Sequence, residues 1–410
     1  MISKNLRVDG HRLVGRIEEL AQIGGLEGGG VCRLAFSDED KQAREKVVRW
    51  MTDLGLDIVI DRFGNTVGIR AGQEEGPPVM MGSHIDTVET GGSYDGALGV
   101  LAGLEVIETL NDANIGTRYP IAVAFFSNEE GCRFQPDMMG SCVFTGVLSH
   151  EEASKAVAPD GTTIADELER REIGGSANPG DLKARAFLEL HVEQGPIMEA
   201  ENLQIGVVEG VQGISWSEIN LKGVSNHAGT TPMHLRHDAG FVAAEIATYV
   251  RKLARDIGGG QVATVGVIEL HPSQINVVAD QAKMTVDLRN LDENLLLQAE
   301  HKLEQYAAQS AKNEGVDIEI SRLARFQPTP FDTGVINLVA KTAENMGFGI
   351  KRMSSGAGHD AQILAPSCPT GMIFVPSRGG KSHNIEEYTD PDEIAAGANV
   401  LLGVALELAE

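Results

Sequence analysis

The stretch Ile121-Ala-Val-Ala-Phe-Phe126-Ser-Asn-Glu129-Glu130-Gly131 decides the fold. A continuous apolar run breaks directly into an acidic pair and a glycine. Such a run fits a strand buried on both faces, as in a largely parallel sheet. Two other segments share the design. Pro78–Gly82 runs into Ser83-His84-Ile85-Asp86-Thr87, and Ala186–Leu190 runs into His191-Val192-Glu193-Gln194-Gly195-Pro196. A helix is expected from about Gly96 to Leu110. Alternating strands and helices imply an α/β sheet with helices on both faces. The polar residues gather just past the strand C-termini, where open α/β sheets place their ligands.

Working outward, Leu13, Ile17, Leu20 and Ile23 recur at helical spacing. After the Gly28-Gly29-Gly30 loop, Ser37 reads as an N-cap, and Asp38, Glu39 and Asp40 favour the positive end of the next helix. Leu56–Ile60 and Thr66–Ile69 read as strands joined at Gly64-Asn65. Near Gly210 the character changes. Ser215–Leu221, Gln261–Leu270, Ala282–Leu288 and Asp317–Ser321 read as strands, with helices over Asp238–Ala254 and Glu293–Lys312. This makes a compact α+β unit. After Pro328 come a helix at Thr333–Met346, a strand at Met372–Val375 and a closing helix from Pro391. The expected organisation is one discontinuous domain, 1–211 with 327–410, interrupted by a smaller α+β domain, 212–326.

Composition narrows the function. The chain has 410 residues, 42% hydrophobic and 23% charged, with 34 Lys+Arg against 59 Asp+Glu and a formal charge of −25. Nucleic acid or an anionic membrane surface is disfavoured as the main partner, because both need a basic footprint. A small anionic substrate, read by local charge, stays open. No apolar run approaches the ~20 residues of a membrane span. The start, Met-Ile-Ser-Lys-Asn-Leu-Arg-Val-Asp, has no apolar signal core. Cys32, Cys132, Cys142 and Cys368 include no C-x-x-C pair, and each is read as a small buried hydrophobe. A cytoplasmic location is expected.

Five features carry metal-type ligands: His84-Ile-Asp86, Asp95 in Gly-Gly-Ser-Tyr-Asp-Gly, Glu129-Glu130, His191, and His383 in Ser-His-Asn. Each alone has a bland explanation. A histidine at a strand end is usually a satisfied polar residue, and an acidic pair is usually a solvated turn. Their shared position at strand ends and glycine turns outweighs this. The nitrogen and oxygen donors suit Zn²⁺, Mn²⁺, Co²⁺ or Ni²⁺, and one bridging carboxylate would let the set hold two ions. Asp86 fits a carboxylate partner for the second N–H of His84. Of the adjacent glutamates, one can bind metal and the other serve as general base, the division that metal-assisted hydrolysis needs.

These motifs, with Asn-His227-Ala-Gly-Thr-Thr-Pro-Met and Ser-Gly-Ala-Gly358-His359-Asp360-Ala, resemble the amidase and carbamoylase branch of the M20 dinuclear metallopeptidase-like family over nearly the whole chain. The resemblance implies a metallopeptidase-like catalytic domain with a mixed sheet flanked by helices, and an inserted lid domain that dimerises. It implies two divalent ions per subunit. His84, Asp95 and His191 would bind one, and Asp95 (bridging), Glu130 and His383 the second. Glu129 would activate the bridging water and protonate the leaving nitrogen. His227, generally from the partner subunit, would stabilise the oxyanion. Asn276 and Arg289 would hold a substrate carboxylate, with Gln194, Gln212, Gly358 and His359 near the substrate. Arg289 follows the alternating Met284, Val286 and Leu288, so it should project from the opposite face, and its fork suits a carboxylate. A surface salt bridge is the plain alternative.

The leading expectation is therefore hydrolysis of the ureido C–N bond of N-carbamoyl-L-amino acids, giving amino acid, CO₂ and ammonia. Allantoate is the closest rival substrate, followed by ureidoglycolate and β-ureidopropionate. A peptidase of the same superfamily should differ at the His227 motif. A non-catalytic protein on this fold should lack Glu129 or a ligand. A Ser/His/Asp site at Ser354 or Ser355 with His359 and Asp360 is less favoured than a glycine-rich loop lining the pocket. Hinges near Gly210–Gly213 and Phe326–Pro330 are expected to close the two domains.

Overall fold

A computed structural model of the chain describes residues 6–410; residues 1–5, where the reading of a missing signal core begins, lie outside the described residues. The first elements are α1 (Gly10–Ala21), α2 (Asp38–Asp53), β1 (Asp57–Ile60), β2 (Thr66–Arg70), β3 (Val79–His84), α3 (Ala97–Asp112) and β4 (Ile121–Phe126). Then come α4 (Met139–Thr145), α5 (His150–Ala153), α6 (Ile164–Arg171), β5 (Ala186–Val192), α7 (Ile197–Glu201) and β6 (Ile205–Val211). An inserted set follows: β7 (Gly213–Lys222), α8 (Ala239–Ile257), β8 (Val262–His271), β9 (Gln281–Asn290), α9 (Glu293–Glu314) and β10 (Asp317–Phe326). The chain closes with β11 (Thr329–Pro330), α10 (Thr333–Asn345), β12 (Ile350–Ser355), α11 (Asp360–Leu364), β13 (Thr370–Val375) and α12 (Pro391–Leu408).

Two compact units result, Met1–Gly210 with Phe331–Glu410, and Val211–Pro330. In the first, the strands run in the order β1-β2-β4-β3-β5-β13-β6-β11, with β12 beside β6. The neighbours β4, β3, β5 and β13 are parallel, whereas β1, β2 and β6 pair antiparallel. All residues of β3, β4, β5 and β13 are buried. This is what their near-continuous apolar sequence requires. The parallel register sets His84 opposite Phe126, and His191 opposite Phe374. The strand ends that carry the chemistry therefore finish at one edge of the sheet.

Helix starts follow local chemistry. Ser37 accepts the N–H of Asp40, and Asp9 accepts that of Arg12. Helix α3 is apolar on almost every side and buried along nearly its whole length. Its one fully buried charge, Glu105, is met by Arg12 of α1 at 2.7 Å. A satellite core of Phe36, Phe63, Phe134, Met139, Val143 and Ile164 lies under the segment that carries α4–α6. The sequence reading found neither those helices nor β6, α7 and β12.

In the second unit the sheet order is β10-β7-β9-β8. Its pairings are antiparallel. Helices α8 and α9 bury Val242, Ile246, Val250, Leu296 and Leu303 against Ile219, Leu221, Met284, Val286 and Leu288. Strand β8 is an edge, with Val262, Val267, Ile268 and Leu270 exposed. One expectation is corrected: Cys132 is exposed and Cys32, Cys142 and Cys368 are only partly covered, so the cysteines are not uniformly small core residues. Among the described residues, no helix is long and apolar enough to cross a membrane.

Candidate metal centre

Three strand ends and two loops of the first unit bring the predicted ligands together. Strand β3 ends on His84, β5 supplies His191, and Asp95 sits in the loop leading into α3. Glu129 and Glu130 follow β4, and His383 lies on the loop between β13 and α12. Asp95 stands at the middle. Its Oδ1 is 3.5 Å from His84 Nε2 and 3.1 Å from His191 Nε2, and its Oδ2 is 3.4 Å from His383 Nε2. His383 Nε2 is also 3.2 Å from Glu130 Oε2. Two groups of metal-ligand type therefore share Asp95: His84, Asp95 and His191, and Asp95, Glu130 and His383.

The tautomers are arranged for this. His84 Nδ1 bonds the main-chain oxygen of Asp86 at 2.9 Å, and His191 Nδ1 bonds that of Val192 at 3.0 Å. A carbonyl accepts only, so each Nδ1 carries a proton, and Nε2 is the ring atom that faces Asp95. His84, His191 and Asp95 are nearly inaccessible, whereas His383 is half-exposed. Burial raises the Asp95 carboxyl, but the imidazoles of His191, His383 and His84 outweigh it and hold it well below the usual range. Burial also opposes protonation of His84, yet Glu129, Asp95 and Asp86 push that imidazole well above its ordinary value. These buried carboxylates and imidazoles have a collective deficit of positive charge. Nitrogen and oxygen donors without sulfur fit a borderline divalent cation.

The expected role of Asp86 needs correction in its detail. Its carboxylate does not take the His84 N–H; the nearest oxygen is 3.9 Å away, and the backbone carbonyl does that work. The carboxylate instead accepts the backbone N–H of Glu129 at 3.2 Å and of Glu130 at 3.3 Å. It thus orients the acidic pair. Glu129 Oε2 lies 3.5 Å from His84 Nε2, outside both donor groups. Burial raises the Glu129 carboxyl well above its usual range.

A cavity of about 130 Å³ opens on this set, lined also by Asp137, Gln194, Gly358 and His359. Gln194 donates Nε2 to Asp95 Oδ2 at 2.9 Å, which turns its Oε1 away; that oxygen is buried without a partner. Asn128, Gln194 and His383 all hold positive φ, 57°, 58° and 52°. Backbone strain of this kind concentrates at functional sites. A larger hollow of about 700 Å³ lies on the second unit near Lys222, Glu269 and Lys283, and no candidate metal group falls there among the described residues.

His359 Nε2 is 2.8 Å from Ser355 Oγ, but that hydroxyl is buried and donates to the Ala357 carbonyl. Both oxygens of Asp360 lack a hydrogen-bond partner, so no Ser/His/Asp relay is assembled. Burial pushes Asp360 up to about 8. Beside it, Glu189 accepts Ser83 Oγ at 2.6 Å and the Ala361 N–H at 2.8 Å. The sequence reading missed Glu189, although a charge inside an apolar strand is a visible signal.

His227, Gln212, Asn276 and Arg289 belong to the second unit. His227 Nδ1 accepts the N–H of Gly229 at 3.0 Å and of Thr230 at 3.2 Å. Its proton must therefore sit on Nε2, leaving an exposed donor. The Ala228 N–H bonds the Asn276 carbonyl at 2.9 Å, which ties these two segments together. Arg289 stands on the face opposite Met284, Val286 and Leu288 and pairs with Asp287 at 2.9 Å.

The sequence model of peptidase family M20/M25/M40 matches residues 80–407. The N-carbamoyl-L-amino-acid amidohydrolase of Rhizobium meliloti is 40% identical over 408 residues, covering 99% of this chain and 98% of that protein. The ureidoglycolate hydrolase of Arabidopsis thaliana is 34% identical over 412 residues, covering 98% and 87%. Among solved structures, a hydantoinase/carbamoylase family amidase from Burkholderia multivorans superimposes with a TM-score of 0.95 at 42% identity, covering 98% of both chains. With the family's match extending from β3 through most of α12, across every candidate ligand, the chain belongs to peptidase family M20/M25/M40.

Proposed function

We propose that this chain is a divalent-metal-dependent hydrolase that cleaves the carbamoyl C–N bond of N-carbamoyl-L-amino acids, giving amino acid, CO₂ and ammonia. One observation carries the reading: Glu129 is held beside the paired donor groups yet belongs to neither, on a chain similar along its length to an N-carbamoyl-L-amino-acid amidohydrolase. Two divalent ions, Zn²⁺, Mn²⁺, Co²⁺ or Ni²⁺, would sit in the His84–Asp95–His191 and Asp95–Glu130–His383 groups. They would supply an acidified water and polarise the carbamoyl oxygen.

The chain's own groups do the rest. Glu129 takes the proton of the attacking water and delivers it to the leaving nitrogen. Burial raises its carboxyl well above the usual range, with the His84 imidazole opposing, which suits a group that takes up and releases a proton. The unpartnered Gln194 Oε1 supports a contact with a ureido N–H, since a buried acceptor gains most from a donor. His227 Nε2–H would donate to the oxyanion, with Arg289 and Asn276 gripping the carboxylate. Closure of the second unit would bring them in. We assign a homodimer formed through that unit, with His227 supplied across it. The exposed apolar edge of β8 supports the interface, because an uncovered edge invites pairing. Four unpaired cysteines support a cytoplasmic location.

The second reading, ureidoglycolate or allantoate hydrolysis, is favoured by the similarity to a plant ureidoglycolate hydrolase and would use the same residues. Ammonia release decides between them. Chelator-stripped protein is reloaded with each metal in turn and offered N-carbamoyl-L-amino acids, N-carbamoyl-β-alanine, allantoate and ureidoglycolate. Faster turnover of carbamoyl amino acids upholds the first reading. Preference for allantoate or ureidoglycolate replaces the substrate and keeps the centre. Inactivity throughout removes the substrate class.

A further inference from the structure

Glu387 lies just beyond His383 on the loop before α12, and its carboxylate is almost wholly buried. Its Oε1 accepts the backbone N–H of both Tyr94 and Asp95, each at 3.1 Å. Its Oε2 is 3.0 Å from Ser382 Oγ, and that hydroxyl is 3.0 Å from Asp95 Oδ2. Gln194 Nε2 donates to the same hydroxyl at 3.1 Å. Ser382 has one proton to give, so it can serve one carboxylate at a time while holding both within reach. The contacts thus join the loop of Asp95 to the loop of His383.

Gly92 in the Asp95 loop is fitted to this carboxylate. A Cβ on Gly92 would fall 2.1 Å from Glu387 Oε1, so only glycine leaves room there. A Cβ on Gly30, which has φ +77°, would fall 2.6 Å from the Gly91 oxygen and 2.8 Å from Ile385 Cα. The demand for such fitting comes from Asp95. Its two oxygens face different partners, His84 and His191 on one side and His383 on the other. A short side chain can do this only if its backbone is fixed.

We propose that Glu387 is a positioning residue of the metal centre. It pins Asp95 through the backbone and, through Ser382, sets the loop that carries His383. It touches neither substrate nor ion. This rests on the reading of Asp95, Glu130 and His383 as the seat of the second ion. His84 and His191 are held by their own carbonyl contacts, so the loss of Glu387 should be felt unequally by the two positions.

Calorimetric titration of Co²⁺ into the chelator-stripped full chain, with the visible spectrum of the bound ion, tests this. In Glu387→Ala one binding step should weaken roughly 10–100-fold and the other by a smaller factor, with saturating Co²⁺ restoring most of kcat. Glu387→Gln should fall between, because its amide oxygen can still accept both N–H groups. Gly92→Ala should reproduce the loss by displacing the carboxylate. If Glu387→Ala does not fold, the Gln and Gly92 variants give the same reading. Wild-type affinity at both steps in variants that melt normally overturns the proposal. If the wild-type chain takes a single ion, the two-ion reading fails instead. The positioning role is then read on that one step, where unchanged affinity overturns it.

Discussion

At the residue scale, the centre depends on what each side chain is prevented from doing. His84 and His191 each give the Nδ1 proton to a carbonyl, which leaves Nε2 as the atom turned toward Asp95. Gly96 belongs to this arrangement as much as the ligands do. It has φ +63°, and a Cβ there would lie 2.4 Å from the His84 ring. Gly96→Ala should displace that ring and lower metal affinity at least about tenfold, read as metal retained after dialysis. Retention equal to wild type would show that the ring has room to move. Glu129→Gln tests the base. It should keep its metal by elemental analysis while kcat falls about 10²–10⁴-fold; unchanged turnover removes Glu129 from the proton transfers. The candidate ligand positions that come together in the structure could be picked out because each follows an apolar run or a glycine turn. Glu387 and Ser382 could not, because their partners are set by how two distant loops meet. Asp86 was half legible: its location could be read, but which N–H its carboxylate takes depends on the turn after β4.

Elements were legible in proportion to how uniformly they are buried. Strands β3, β4, β5 and β13 announce themselves because both faces are covered. Helices α8 and α9 do so because one stripe packs on one sheet. The short α4–α6 have no long periodic run, although the reciprocal Thr163–Asp166 cap of α6 is a local start signal. Strand β12 carries Lys351 and Arg352 and is only partly covered, so its sequence lacks the apolar continuity of the central strands. Helix α3 shows the opposite case, a helix apolar all round that still holds one buried carboxylate. Glu105 accepts the Asp9 N–H at 2.9 Å and Thr109 Oγ1 at 3.0 Å, and Arg12 completes the set. Arg12→Ala leaves that charge short of a partner, with Arg16 Nη1 3.7 Å away as a partial substitute. A loss of about 3 kcal/mol is expected in urea unfolding, at the lower end for a broken buried pair. A change below about 0.5 kcal/mol would mean that Arg16 takes over fully.

For the whole molecule, the division of labour between the two units poses the decisive question. The donor groups and Glu129 lie in the first unit, whereas His227, Asn276 and Arg289 lie in the second. A sequence shows such a division only as a change of character near Gly210 and Pro328, because the connecting segments themselves carry no periodic signal. The proposed dimer makes the division functional: a site closed by its neighbour's His227 cannot work alone. Mixing two inactive variants tests this directly. Glu129→Gln retains His227, and His227→Ala retains Glu129. If His227 crosses the interface, a mixed dimer pairs one intact Glu129 with one intact His227 at a single site. Random exchange of equal amounts makes half the dimers mixed, so activity should recover to roughly a quarter of wild type. The recovery should need subunit exchange, made by dilution or mild denaturant and followed by the rate at which activity appears. If His227 instead serves its own subunit, every site in the mixture lacks one group and no activity returns, however long exchange proceeds. Mass measurement of differently tagged subunits confirms that mixed dimers formed, so that a silent mixture counts against the crossing and not against the exchange.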